Sequence, residues 1–429
     1  MSRGLLQALC FGYGLVLFVV EALAADPLAL ATLSLPQSPI VATTSPPPQP
    51  DAEEQLLQGV LAVKQGDLEG AIETLEQLRQ QVPNFHLAHL IYADLLSLRT
   101  GQIGDIGLGT LVTATDAVSS QRLNNLRSEL LTRIGALLEP IPPDHYPRSL
   151  LLLDERHPDA IVVDKSTHRL YHYRWDSAQQ LPQLQHDYYV STGKLRGNKQ
   201  VRGDLKTPEG VYFVTQHIPD SQLPEKYGIS AFTLNYPNEL DRHLNRTGYG
   251  IWLHGTERIY YSRPPLDSEG CVVLPNLDLS QLKPYLLPGR TPVIVTEAVE
   301  WLDVATWQQQ QQGALAALEL WRQSWQSGDL ERYLKRYSES FWSDSDANLE
   351  RWRQRKQQVA ATKTYQDIAL EQLTLLRYPK SASEGRELIV ANFTQHYRSN
   401  NYTSVMQKRL YLTLEQGEWR VLYEGAADD

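Results

Sequence analysis

The chain has 429 residues, 42% hydrophobic and 21% charged, an ordinary globular composition with room for about two to four domains. A net charge of −10 excludes nucleic acid as a partner and argues against general attraction to an anionic membrane surface. With only Cys10 and Cys271, the chain is neither a disulfide-built fold nor a dithiol redox protein.

Residues 1–24 read as a signal peptide. Arg3 supplies the positive start, Leu5 to Val20 an apolar run, and Ala22-Leu23-Ala24 a small-residue cleavage site. The expectation is export to the periplasm, or tethering to the inner membrane if the signal is uncleaved. No later segment is apolar for long enough to span a bilayer. Residues 25–51 form a linker ending in Pro46-Pro47-Pro48-Gln49-Pro50, a stiff spacer. Residues 52–137 are helical, with Leu56, Val60, Val63, Ala71, Leu75 and Leu78 at helical spacing. Breaks fall at Gly66-Asp67 and Pro83-Asn84. This pattern resembles a tetratricopeptide-type helical hairpin. One hairpin cannot stand alone, so packing onto a neighbouring domain or onto a second copy in a homodimer is expected, with recruitment of protein partners through this helical region as the alternative.

Residues 138–155, with Pro140, Pro142, Pro143 and Pro147, form a hinge. Residues 156–298 then read as mostly β. Ala160 to Asp164 and Arg169 to Tyr173 make a hairpin, and further strands are expected at Tyr188 to Ser191, Gly210 to Thr215, Gly250 to His254 and Pro292 to Thr296. Residues 299–312, ending in the run Gln308 to Gln312, read as a linker. Residues 313–427 place three helices before a long antiparallel sheet, an α+β order. The second helix is expected to run from Gly328-Asp329 through Tyr337. This order, with Trp321 and Trp325 early and a closing Glu418-Trp419-Arg420-Val421 strand, resembles the nuclear-transport-factor-2-like (NTF2-like) cone. Trp321, Trp325, Trp342 and Trp352 read as core.

The chemistry centres on Cys271. It lies in Ser268-Glu269-Gly270-Cys271, downstream of His254-Gly255-Thr256. Attack by a thiol on an amide or ester needs a thiolate, a base that keeps it charged, and a group that orients the base. Cys271 and His254 supply the first two. No Asp or Asn stands in a recognisable context for the third, so a backbone carbonyl is the candidate. Gly255 and Gly270 allow close backbone approach, and the N–H groups around Gly270 and Cys271 could form an oxyanion hole. Ser268 reads as a loop-holding hydroxyl rather than a nucleophile, and Asp204 and Lys206 as solvated loop charges. The histidines show no metal-ligand spacing, so neither metal nor cofactor is expected.

These motifs resemble the L,D-transpeptidase (YkuD-type) catalytic domain. The likeness extends to Ser191-Thr192-Gly193-Lys194, to Gly203 through Gly210, and to Tyr227 through Asn238 with Asp241-Arg242. It implies a cysteine enzyme acting on peptidoglycan stem tetrapeptides. Cys271 would be the nucleophile, His254 the general acid/base, and the Gly255 carbonyl the group orienting His254. D-alanine would leave and an acyl-enzyme would form. Glu269 and Val273 depart from the His and Arg that most members carry there. The pairing with an NTF2-like domain resembles shape-determining L,D-carboxypeptidases, so trimming of tetrapeptide to tripeptide stays open beside transpeptidation. A non-catalytic wall-binding protein is the further alternative.

Overall fold

The computed structural model describes residues 51–101, 106 and 116–427. The expected signal peptide and nearly all of the expected Pro-rich linker lie outside the described residues. The chain divides into two compact units, residues 1–83 with 88–111, and residues 84–87 with 112–429.

In the first unit, helices Ala52–Lys64 and Leu68–Gln81 form an antiparallel pair across Gln65-Gly66-Asp67. Asp51 and Asp67 cap them by accepting the Glu54 and Gly70 amides, which satisfies orphan N–H groups of each first turn. Leu56, Ala71, Leu75 and Leu78 are buried, as the helical spacing requires.

The second unit holds two large sheets and two two-stranded ones, which pair His145–Pro147 with Trp301–Asp303 and Leu266–Ser268 with Thr192–Gly193. The larger has eight strands, in the order Val272–Val273, Trp252–His254, Ser230–Leu234, Gly210–Pro219, Pro292–Thr296, Asp159–Asp164, Arg169–Asp176 and Leu181–Tyr189. Its pairs are antiparallel except 272–273 with 252–254 and 292–296 with 159–164. Val163, Val214, Phe232, Leu253, Val272 and Val295 belong to the core on one side. The second sheet has six strands, in the order Tyr337–Ser343, Glu418–Ala426, Thr403–Glu415, Leu388–Ser399, Gln366–Arg377 and Leu150–Leu152. Helices Val304–Gln326, Leu330–Leu334 and Leu349–Ala360 accompany it. The chain is therefore N-terminal helices, a mostly-β central region and a C-terminal α+β region.

Three expectations need correction. Residues 299–312 are not a linker: Trp301–Asp303 is a strand, and Val304–Gln326 is one helix capped by Asp303. Glutamine is a good helix former, and Gln311 and Trp307 are buried, donating to the backbone carbonyls of Leu151 and Leu150 at 2.8 Å each. The helix after Asp329 stops at Leu334, and Tyr337–Ser343 is a strand. Leu150–Leu152, placed in the hinge, joins the second sheet beside Gln366–Arg377.

The two sheets also share a core. Val162, Tyr171, Val211, Phe213 and Ile294 pack in one buried cluster with Trp307, Tyr378, Leu388, Val390, Tyr411 and Tyr423. Polar ties cross the same seam. Asn238 Nδ2 donates to Tyr378 Oη at 2.9 Å, Arg246 to the Ala382 carbonyl at 2.7 Å, and Arg409 to Glu239 at 2.8 Å.

Candidate active site

Strand register brings Cys271 to His254. Val272 and Val273 pair in parallel with Leu253 and His254, so Cys271 falls beside Trp252. Side chains alternate along a strand, and His254, two residues beyond Trp252, shares its face. Both residues line one cleft of about 570 Å³, with Ser268, Glu269, Tyr227, Lys226 and Arg263 among its walls.

His254 is buried, and its Nδ1–H donates to the Gly255 carbonyl at 2.6 Å. A carbonyl only accepts, so the proton sits on Nδ1 and the Nε2 lone pair is free to take a proton. The Tyr227 ring stands edge-on to the imidazole, with centroids 4.9 Å apart. Asn276 fixes the strand end. Its Oδ1 accepts from the Thr256 amide at 3.2 Å and its Nδ2 donates to the Thr256 carbonyl at 2.8 Å. Gly255 is needed there, because a Cβ would fall 2.1 Å from Asn276 Oδ1.

Ser268 closes the cysteine loop. Its Oγ donates to the Cys271 carbonyl at 2.6 Å and accepts the Gly270 amide at 3.1 Å. The Gly270 N–H is therefore spent within the loop, and the Cys271 N–H is the remaining donor of that pair for an oxyanion. Gly270 has φ +132°, and a Cβ would meet the Lys206 carbonyl at 2.8 Å, so no side chain fits. Asp204 is not a solvated charge. It pairs with buried Lys199 at 2.7 Å and accepts the Gln200 amide at 2.8 Å, folding the 199–206 loop along the cleft.

The thiol lies on the cleft floor, partly open to solvent but surrounded by protein. It donates to the Gly250 carbonyl at 3.5 Å. Burial pushes its pKa up to about 11, against the opposing pull of the Trp252 amide and Arg263. Burial likewise lowers His254 to about 3; the Gly255 hydrogen bond opposes this, and Arg263 and Lys226 reinforce it. Both shifts favour the uncharged forms, neutral thiol and neutral imidazole, over a standing thiolate–imidazolium pair.

Arg263, Lys226 and Asn276 are missed by motif reading, and Tyr227 enters it only as the start of the family-like stretch, with no role. Of the three missed, Asn276 carries a sequence signal, five positions after Cys271. Among the described residues no His, Cys, Asp and Glu cluster could hold a metal ion.

A model of the L,D-transpeptidase catalytic domain matches residues 158–295, and one of the Cds6 C-terminal NTF2-like domain matches residues 313–425. Among solved structures, Bd1075 of Bdellovibrio bacteriovorus is 28% identical, with a TM-score of 0.57 over 66% of this chain and 97% of that one. The helical cell shape determining protein Pgp2 from Campylobacter jejuni is 25% identical, with a TM-score of 0.55 over 65% of this chain and 94% of that one. No curated protein sequence matches the chain. Residues 158–295, with Cys271 and His254 on one face of their sheet, therefore belong to the L,D-transpeptidase catalytic-domain family of peptidoglycan enzymes, joined to an NTF2-like domain at residues 313–425.

Proposed function

We propose that the chain is a cysteine-dependent L,D-transpeptidase that acts on peptidoglycan stem tetrapeptides through an acyl-enzyme and releases D-alanine. The observation that carries this reading is a thiol and an imidazole in one cleft, with the imidazole Nδ1 held by the Gly255 carbonyl. Sγ attacks the carbonyl of the third residue while His254 Nε2 takes the thiol proton, so the charge is created only as the bond forms. The oxyanion is met by the Cys271 N–H. The carbon–nitrogen bond breaks, His254 gives its proton to the leaving D-alanine amine, and a thioester remains. An acceptor amine then attacks the thioester. His254 takes the proton of that amine and returns one to Sγ.

A second reading is favoured by the joined NTF2-like domain, the pairing that resembles shape-determining L,D-carboxypeptidases. In that case water resolves the thioester and tripeptide is released. Both readings belong in the periplasm.

The test is incubation of the purified protein with disaccharide-tetrapeptide, followed by chromatography and mass spectrometry. Crosslinked dimers or exchanged D-amino acids support the first reading, and tripeptide alone the second. Cys271→Ala should abolish every product with an unchanged circular dichroism spectrum. Turnover by that variant would sink the nucleophile assignment.

A further inference from the structure

Between His254 and Ser268 the chain makes a strap, residues 255–267, over the cleft. Three elements of the same compact unit hold it from outside. The Tyr261 amide donates to the Asn84 carbonyl at 3.0 Å, and Asn84 Nδ2 donates to the Arg258 carbonyl at 2.9 Å. The Phe85 ring packs on Tyr261 with centroids 4.2 Å apart. In helix Ala117–Leu138, Glu129 accepts from Ser262 Oγ at 2.6 Å. Its partner Arg133 lies over the Tyr189 ring at 3.9 Å, and Tyr189 Oη donates to the Arg263 carbonyl at 2.9 Å. Every hold converges on residues 258–263. Such a dense set of ties fixes the backbone from which Arg263 enters the cleft.

The Arg263 side chain is itself oriented, and one end is left over. Nε donates to Thr256 Oγ1 at 3.0 Å, and Nη2 to the Lys226 carbonyl at 2.7 Å and Glu257 Oε2 at 2.8 Å. Among the described residues Nη1 makes no hydrogen bond, and it stands at the outer edge of ion-pair distance from Asp267, 4.0 Å away. The tie through Nη2 also holds Lys226 alongside, whose ammonium has no ion pair among the described residues and lies over the Tyr227 ring at 4.8 Å. Tyr227 in turn packs on His254. Two cations with donors to spare thus stand next to the reacting pair, in a chain whose net charge is −10.

We propose that Arg263 is a specificity-determining residue, which binds through Nη1 the free carboxylate at the C-terminal end of the peptide substrate, with Lys226 beside it. The leaving D-alanine of a tetrapeptide carries such a carboxylate, one residue from the scissile carbonyl. A peptide continued or capped at that end does not. This proposal rests on the stem-peptide reading above.

The test compares disaccharide-tetrapeptide with the same compound amidated at its terminal carboxyl. Binding through a charge-assisted hydrogen bond corresponds to about 10-fold to 100-fold in kcat/KM. The wild type is expected to prefer the free acid by that factor, and Arg263→Gln to bring the ratio below about threefold, mainly by losing activity on the acid. Arg263→Lys guards against a glutamine variant that fails to fold. It keeps one charge but not the second amino group, and the ratio is expected to fall at least about fivefold. A wild-type ratio near one, an equal loss on both substrates in Arg263→Gln, or an unchanged ratio in Arg263→Lys overturns the proposal. Failure of the wild type to turn over either peptide, with no carbapenem adduct on Cys271, overturns the stem-peptide reading and this proposal with it.

Discussion

Without substrate, Cys271 should alkylate slowly at neutral pH, with a rate that keeps climbing far into the alkaline range. With its thiol pushed up to about 11, only about one molecule in 10,000 carries a thiolate at pH 7. A free cysteine near pKa ~8.5 carries about 3%. That deficit is about 300-fold. The more basic thiolate is the better nucleophile, and over about 2.5 pKa units this returns roughly tenfold, leaving a net slowing of about 30-fold. The assay is iodoacetamide labelling followed by intact mass, from pH 5 to 10, against a short cysteine peptide. Log rate should rise with unit slope through about pH 10. Because His254 is neutral at rest, His254→Ala should shift the labelling curve by less than about threefold. The same variant should nevertheless lower tetrapeptide turnover by about 100-fold or more, since the base is lost. A wild-type labelling plateau below about pH 7 that vanishes in His254→Ala would refute the reasoning, because it would reveal a standing ion pair.

Gly255→Ala drives a methyl group to 2.1 Å from Asn276 Oδ1 and should shift the His254 carbonyl partner, lowering kcat/KM by at least about tenfold; steady-state kinetics on tetrapeptide decides it. Glu387 is penalised by burial, but Lys380, Arg377 and Arg148 overcome this and hold it at about 2. Its folded value is depressed, so its stabilisation is present above the unfolded value of 4.5 and is lost as pH falls from there toward about 2. Glu387→Gln should cost about 2 kcal/mol by denaturant titration at pH 7, a figure already reduced for solvent screening of a partly exposed group, with the gap to wild type closing as pH falls toward about 2; a constant gap would contradict the assignment. Truncation after residue 312 should yield a chain that aggregates or melts without cooperativity, because it bares the Tyr171, Phe213 and Trp307 side of the shared core. A truncated protein with native circular dichroism and full carbapenem acylation would show that the two sheets are separable.

The legible parts of this molecule are those in which neighbouring residues decide the outcome. The hairpin around Lys165 to His168 and the long strands after residue 366 follow from alternation and turn chemistry, and the helices at 52–81 from their spacing and Asp caps. Cys271 and His254 are legible for a different reason: two glycines and a serine surround them in a spacing that few other contexts produce. What stays hidden is set by pairing across large sequence separations. Leu150–Leu152 is three residues long and proline-flanked, too short for any periodicity, yet it extends a sheet whose other strands begin at residue 337. The glutamine run has the composition of a joint, and nothing local announces that Gln311 will be buried against Leu151. Arg263 is hidden in the same way, as one arginine among exposed-looking charges in a loop with two prolines. Its place in the cleft depends on Phe85, Glu129 and Tyr189, between 74 and 178 positions away (263−189 and 263−85). On the proposed reading, the residues that choose the substrate lie outside the cysteine motif, so that motif points to the chemistry and the specificity is left to the fold.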